Sequence, residues 1–351
     1  MKQIIPISFH DLLVSKIALF LEEEGMICPQ TEEGIPELIS KMIDYKEEGK
    51  SLYPDIYIFD DLELVRRMVS NSQVCYIGKD VKAKDTMLKA LKKCAPLTEN
   101  GWAIYILRKE NEFEYGLFRG GVTLLSVSVA ETLVDPLDEQ FHDGLKVIFI
   151  HQVADKLIEL KGVRANTLLV SYGNKANSLY SPLSSQIEFI KSITKNVNPI
   201  LIDQTTSFFR KVFLEVLRKG HGTLACVVKS KTVLPKRLQD GIILEERINV
   251  PQMISDLMDL DNLASNSKLE GQFSIIIGMM QTDGITVFTD KGEIASYNVF
   301  IKHPLKFSQS KTTGGARSRT FLALSEYIGI GIEAAYIQSQ DGKIEYSNGK
   351  E

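Results

Sequence analysis

The chain has 351 residues, 44% hydrophobic and 25% charged, with a formal net charge of −4. That length predicts two domains, or three, and the composition excludes a disordered or fibrous chain. The weakly acidic balance offers no general attraction to a nucleic-acid polymer or an anionic membrane, and no run of about 18 apolar residues is present to span a bilayer.

The opening segment, MKQIIPISFHDLL, carries one lysine and is interrupted by Pro6, His10 and Asp11, so it does not read as a signal peptide, and a cytoplasmic location is expected. Ser8 followed by Asp11 predicts a capped amphipathic helix through Leu12, Leu13, Ile17, Phe20 and Leu21 that stops near Gly25. A polar stretch with a second helix follows over 30–52. Asp55 to Phe59 alternates like a strand, 61–70 reads as a helix, and Gln73 to Gly78 returns to strand.

From Trp102 the runs WAIYILRK, EFEYGLFR and TLLSVSVAE predict an antiparallel meander. Lys146 to Gly162 reads as a strand or a buried helix, which periodicity cannot decide, and Ala165 to Gly173 as a strand. Residues 174–184 are rich in Asn, Ser and Pro and predict a linker. Phe208, Phe209, Val212, Phe213, Val216 and Leu217 share a helix face ending in the basic turn Arg218 to Gly220. Then come the strands TLACVV and GIILEERI, a helix from Val250, three strands over QFSIIIGMM, GITVFTD and EIASYNVFIK, a helix from Gly315 to Ile328 and a closing hairpin. No internal repeat is visible. The fold class expected is α/β (α+β), divided as 1–100, a β-rich 101–204 that stands either apart from the first or continuous with it, and 205–351.

Four cysteines, Cys28, Cys75, Cys94 and Cys226, form no CxxC pair and neighbour no histidine cluster. They read as reduced structural residues. Lys79 and the triplet Gly173 to Lys175 read as turns, His142-Asp143-Gly144 as a loop, and Trp102 with Tyr105 as core packing.

Four segments in order carry a resemblance. They are HGTLACVVKSKTVLPKRLQDGIILEERINVPQMI, TDGITVFTDKGEIAS, GGARSRTFLALSEYIGI and AAYIQSQDGKIEY. From about Phe208 onward the chain resembles the diadenylate-cyclase (DAC) domain family, whose fold is a mixed sheet flanked by helices. In that family two protomers face each other and join two ATP molecules into cyclic di-AMP with a divalent metal. The resemblance implies that Asp283 and Gly284 match the family's Asp-Gly, and that Arg317 and Arg319, after Gly314 and Gly315, match its two phosphate-facing arginines.

The departures fall on the catalytic side. Thr282 stands where the family has a metal-binding histidine, Ile285 replaces Ala, Ser318 replaces the central His, and Gln340 stands where a glutamate is expected. Gln is a far poorer Mg²⁺ ligand than a carboxylate. The implied nucleotide-contacting set is Asp283, Gly284, Ile285, Gly314, Gly315, Arg317, Ser318, Arg319, Thr320 and Gln340, with His221 and Thr282 at its edge.

This pattern is similar to the DAC-like sensor domains (the DACNV group) of bacterial defence operons. It implies a sensor of an adenine nucleotide or cyclic dinucleotide, with Mg²⁺ or Mn²⁺ arriving only with the nucleotide, an effector protein as partner and a homodimer as the family's arrangement. Two other readings stand beside it: an active cyclase with Asp283 as its catalytic carboxylate, and a fold kept without a ligand. Bland readings of the same residues are Asp283 as a turn residue, Arg317 and Arg319 paired with Glu326 or Asp341, and His221 bonded to backbone. The helix from Phe208 to Leu217 is expected to carry a signal from the pocket edge to the N-terminal region.

Overall fold

A computed structural model describes residues 8–69, 71–120, 129–134, 144–154, 156–164, 166–172, 182–230, 234–238, 240–260, 263–301, 315–339 and 344–349. The chain divides into two compact units, one of residues 1–122 and 126–176, the other of 123–125 and 177–351.

In the first unit, helix α1 (Phe9–Glu23) opens on the expected capping box, with the Asp11 amide donating to Ser8 Oγ at 3.1 Å, and buries Leu13, Ile17, Phe20 and Leu21. Helix α2 (Pro29–Met42) follows, then a two-stranded ribbon, β1 (Lys46–Glu47) and β2 (Lys50–Ser51). The main sheet is built from β3 (Ile56–Phe59), β4 (Gln73–Val81), β5 (Ala103–Arg108), β6 (Glu112–Arg119), β7 (Val147–Ala154), β8 (Leu157–Gly162) and β9 (Thr167–Ser171). Helix α3 (Leu62–Met68) precedes β4, α4 (Lys84–Cys94) precedes β5 and α5 (Val129–Leu133) precedes β7. The strand order is β4-β6-β5-β3-β7-β8-β9, with β3 and β5 parallel and every other pair antiparallel. Helices α1, α2 and α4 bury their apolar stripes on one face, and α3 and α5 pack on the other. Strands β3 and β5 are buried on both faces, which explains their unbroken apolar sequence.

The second unit begins with α6 (Pro182–Ile193) and α7 (Ile202–Arg218), followed by β10 (Thr223–Val228), β11 (Ile242–Asn249), α8 (Val250–Leu260), α9 (Leu263–Met280), β12 (Ile285–Thr289), β13 (Glu293–Val299), α10 (Ala316–Glu326), β14 (Ala334–Gln338) and β15 (Ile344–Ser347). The order is β11-β13-β12-β10-β14-β15, again with one parallel pair, β10 with β12. Phe189, Phe209, Phe213, Ile254, Ile276 and Phe288 fill the core between the sheet and α6 to α9, while Phe321 and Leu324 of α10 cover the opposite face.

Several expectations change. QFSIIIGMM is the end of α9 and not a strand. Its three consecutive isoleucines suggest β structure, but parallel strands β10 and β12 need a crossover, and α8 and α9 supply it. Residues 129–131 of TLLSVSVAE are helical; 123–128 lie outside the described residues. Lys146 to Gly162 resolves as the hairpin β7–β8, turning at Lys156 with φ 55°. Strands β5 to β9 share one sheet with β3 and β4, and Pro182 to Ser184 of the expected linker are helical.

A repeat invisible in the sequence is plain in the topology. Adding seven to each strand number in β4-β6-β5-β3-β7-β8 gives β11-β13-β12-β10-β14-β15, with the same parallel and antiparallel pairings. Both β5 and β12 also follow a positive-φ glycine, Gly101 at 80° and Gly284 at 93°, preceded by Asn100 and Asp283.

Candidate functional site

The parallel pairing of β10 and β12, with Leu224 opposite Ile285, brings two amino-terminal strand ends side by side. His221-Gly222 leads into one and Thr282-Asp283-Gly284 into the other. Gly284 has φ 93°, and a Cβ there would meet the Asn298 backbone at 2.8 Å, so the position demands glycine. The Asp283 side chain is 84% exposed and reaches Arg317, whose Nη2 donates to Asp283 Oδ1 at 3.2 Å. Arg317 also lies over Gly222, where an added Cβ would come within 2.8 Å of Nη1. Three segments far apart in sequence therefore meet around one guanidinium.

Arg317 stands in the first turn of α10, whose N-cap Gly315 is extended and supplies no side-chain cap. The first amides of such a helix lack intrahelical acceptors and favour an anion. Arg319 is exposed and has no carboxylate partner among the described residues, and Ser318 lies between the two arginines half-buried. Arg317 thus pairs with Asp283, not with Glu326. The Thr320 hydroxyl is engaged with the Ala316 carbonyl at 3.0 Å.

The remaining positions have other duties. Thr282 Oγ1 donates to the Met279 carbonyl at 2.7 Å and ends α9. Ile285 is wholly buried in the core and offers no surface to a ligand. His221 Nδ1 sits 2.8 Å from the Gly222 carbonyl, in keeping with a backbone-bonded histidine. Gly314 and Gln340 lie outside the described residues, as do His142, Asp143 and Gly173 to Lys175. Lys79 lies within β4 and pairs with Glu112 at 3.0 Å.

Sequence reading assigned no role to a buried polar relay behind this edge. Gln338 Nε2 donates to the carbonyls of His221 at 3.0 Å and Val216 at 3.3 Å, and its Oε1 accepts from Tyr336 Oη at 3.4 Å. Gln186 Nε2 lies 3.3 Å from that same hydroxyl. A glutamine closing the apolar run AAYIQ was the available signal, because a buried amide must find partners. The relay ties β14 and the last turn of α7 to the His221-Gly222 strand start. The paired aromatics of α7 are spent within the second unit, Phe208 against Phe273 and Phe209 against Phe288.

Chemically, the arrangement offers one positioned guanidinium, a second exposed one, uncapped helix amides and a single solvent-facing carboxylate. That set suits phosphate oxygens and a hydroxyl. Among the described residues no three His, Cys, Asp or Glu side chains lie together as metal ligands. With Asp283 as the one carboxylate and the Thr282 hydroxyl already bonded, the described residues do not make a resident metal site. Comparison of the chain with protein-family models, with curated proteins and with solved structures gave no match.

Proposed function

We propose that the second unit is a DAC-like nucleotide-binding domain that recognises an adenine nucleotide or cyclic dinucleotide without synthesising one, and that the chain reports this binding to an effector protein. The carrying observation is Arg317, set over Gly222 and bonded to Asp283 beside the uncapped start of α10. Those are the positions the resemblance marks as facing ligand. Turnover is disfavoured because general acid–base and metal-assisted phosphoryl transfer need carboxylates and a bound ion, and the described constellation has one carboxylate.

The test is calorimetric titration of the purified chain with cyclic di-AMP and with ATP, alongside incubation with ATP and Mn²⁺ analysed for cyclic di-AMP. Saturable binding with no product supports the sensor reading. Robust product that disappears in Asp283→Asn supports a cyclase instead, and absence of binding to either ligand removes the nucleotide assignment.

A further inference from the structure

The carboxyl ends of the parallel strands β3 and β5 in the first unit border an open cleft of about 560 Å³. Crevices beyond the carboxyl ends of parallel strands are where α/β sheets commonly take ligands, and this volume is of small-molecule size. Cys28 lines it, together with Asp60 after β3, Arg108 ending β5, Lys109, Lys82 and Lys146. Four of the lining side chains are cationic, against the carboxylates Asp60 and Glu110.

Cys28 is the N-cap of α2. As a thiol it donates weakly to Gln30 Oε1 at 3.4 Å. The Thr31 hydroxyl, wholly buried three residues on, then has no hydrogen-bond partner. A thiolate at Cys28 is the acceptor that the Thr31 hydroxyl and amide favour. Burial pushes the Cys28 thiol up, but the Thr31 hydroxyl and amide, with the charges of Lys82 and Arg108, hold it below its ordinary value on balance. Cys94, buried without such partners, is pushed up to about 11.

Arg108 fixes the geometry. Its Nε and Nη2 grip Asp60 at 2.6 and 2.8 Å, and its Nη1 donates to the Met26 carbonyl at 2.6 Å, pinning the loop that presents Cys28. Lys82 is anchored by the Lys109 carbonyl at 2.8 Å, and Lys146 has no carboxylate partner among the described residues.

We infer that Cys28 is a reactive thiolate whose cleft captures small disulfides bearing carboxylates. The Cys28 Sγ anion attacks one sulfur of the disulfide, a new S–S bond forms to Cys28, and the other sulfur departs with the electron pair as a thiolate. Lys82 and Lys146 hold the carboxylates, Lys109 being paired with Glu114 at 2.6 Å, and the start of α2 supports the anionic sulfur.

The experiment uses the full chain carrying Cys75→Ser, because Cys75 is the one exposed thiol among the four. Glutathione disulfide and the uncharged bis(2-hydroxyethyl) disulfide are compared by intact mass, peptide mapping and rate against pH. The expected result is a glutathionyl adduct on Cys28, formed about 10-fold faster or more than the uncharged adduct, with half-maximal rate below the ordinary thiol value of about 8.5. The charged groups facing the thiol are Lys82, Arg108, Asp60, Lys109, Glu110 and Lys146 of the cleft and Glu32 of α2. Lys146→Glu should slow the glutathione reaction several-fold more than the uncharged one, and Thr31→Val should move the half-point upward. Equal rates with both disulfides, no adduct on Cys28, or a half-point at or above the ordinary value overturns the inference. The parent chain alone decides these outcomes if Thr31→Val fails to fold.

Discussion

The two units follow the same path through their sheets but carry opposite charges at matching strand ends. Asp60 follows β3 where Lys229 follows β10, Lys109 follows β5 where Asp290 follows β12, and Lys146 precedes β7 where Glu333 precedes β14. In the second unit Glu333 draws in Lys195 at 2.9 Å and Lys229 at 3.5 Å. There too, the buried Asp290 accepts from Asn196 and from the Ser230 amide, both at 2.7 Å. The carboxyl ends of β10 and β12 are laced shut, and Arg317, Asp283 and the start of α10 gather at the amino ends. In the first unit a lysine replaces the glutamate, Arg108 grips Asp60, Lys109 turns away to Glu114 at 2.6 Å, and a cationic cleft stays open. One scaffold thus carries two unlike sets of charges at its strand ends.

The sharpest break in this comparison comes from the cores. Phe213 packs on Tyr336 at 5.3 Å, Phe189 at 5.6 Å and Phe288 at 6.1 Å. Phe213→Ala is expected to cost about 3–5 kcal/mol. Trp102 is the chain's single tryptophan and lies in the first unit, so its fluorescence follows that unit while far-UV circular dichroism follows both. In denaturant the dichroism transition should shift and the fluorescence midpoint should not. A joint shift would mean that the units unfold as one. Arg108→Met is the counterpart, removing charged hydrogen bonds worth about 1.5–3 kcal/mol, and it should move the fluorescence midpoint to lower denaturant.

At the amino ends the effect is on binding. Arg317→Ala should weaken nucleotide affinity about 10- to 150-fold by losing one charge-assisted contact of about 1.5–3 kcal/mol. Stability should change by less than about 1 kcal/mol, since its partner Asp283 is largely exposed. Unchanged affinity in calorimetry with an intact fold would remove Arg317 from the site.

Most individual elements were legible because each rests on a local cause. The capping box at Ser8 starts α1, and the aromatic stripe of α7 and the Asp290-Lys291-Gly292 turn are fixed by period and backbone freedom. What failed was non-local. IYIF and TLACVV are both simply buried strands, and nothing in their letters tells that each sits fourth in the order of a like-ordered sheet. The isoleucines of α9 obeyed the crossover and not their own β preference. The Arg317–Asp283 pairing spans 34 positions and was not foreseen, since the resemblance named both residues only as facing a ligand. The groups around Cys28, Thr31 with the distant Lys82 and Arg108, come together only on folding.

The smallest expected effect tests the lacing itself. Lys195 holds the Glu333 carboxyl below its ordinary value by a hydrogen bond, opposed by partial burial and aided by the charges of Lys195 and Lys229. A carboxylate whose folded pKa is depressed adds stability that is present above the unfolded value, about 4.3, and is lost as pH falls through the folded one. Glu333→Gln should therefore destabilise the second unit at pH 7 by less than about 1 kcal/mol, because both lysines are largely exposed. The difference should fade as the pH is lowered below about 4. Lys146→Gln, at the matching place in the first unit, has no carboxylate partner to lose among the described residues and should show no such acid-dependent difference. Paired denaturation curves at pH 7 and pH 3 separate the cases. A Glu333→Gln deficit that persists at pH 3 would mean that Glu333 acts through packing, and the charge reversal between the units would then explain the open cleft but not the closed one.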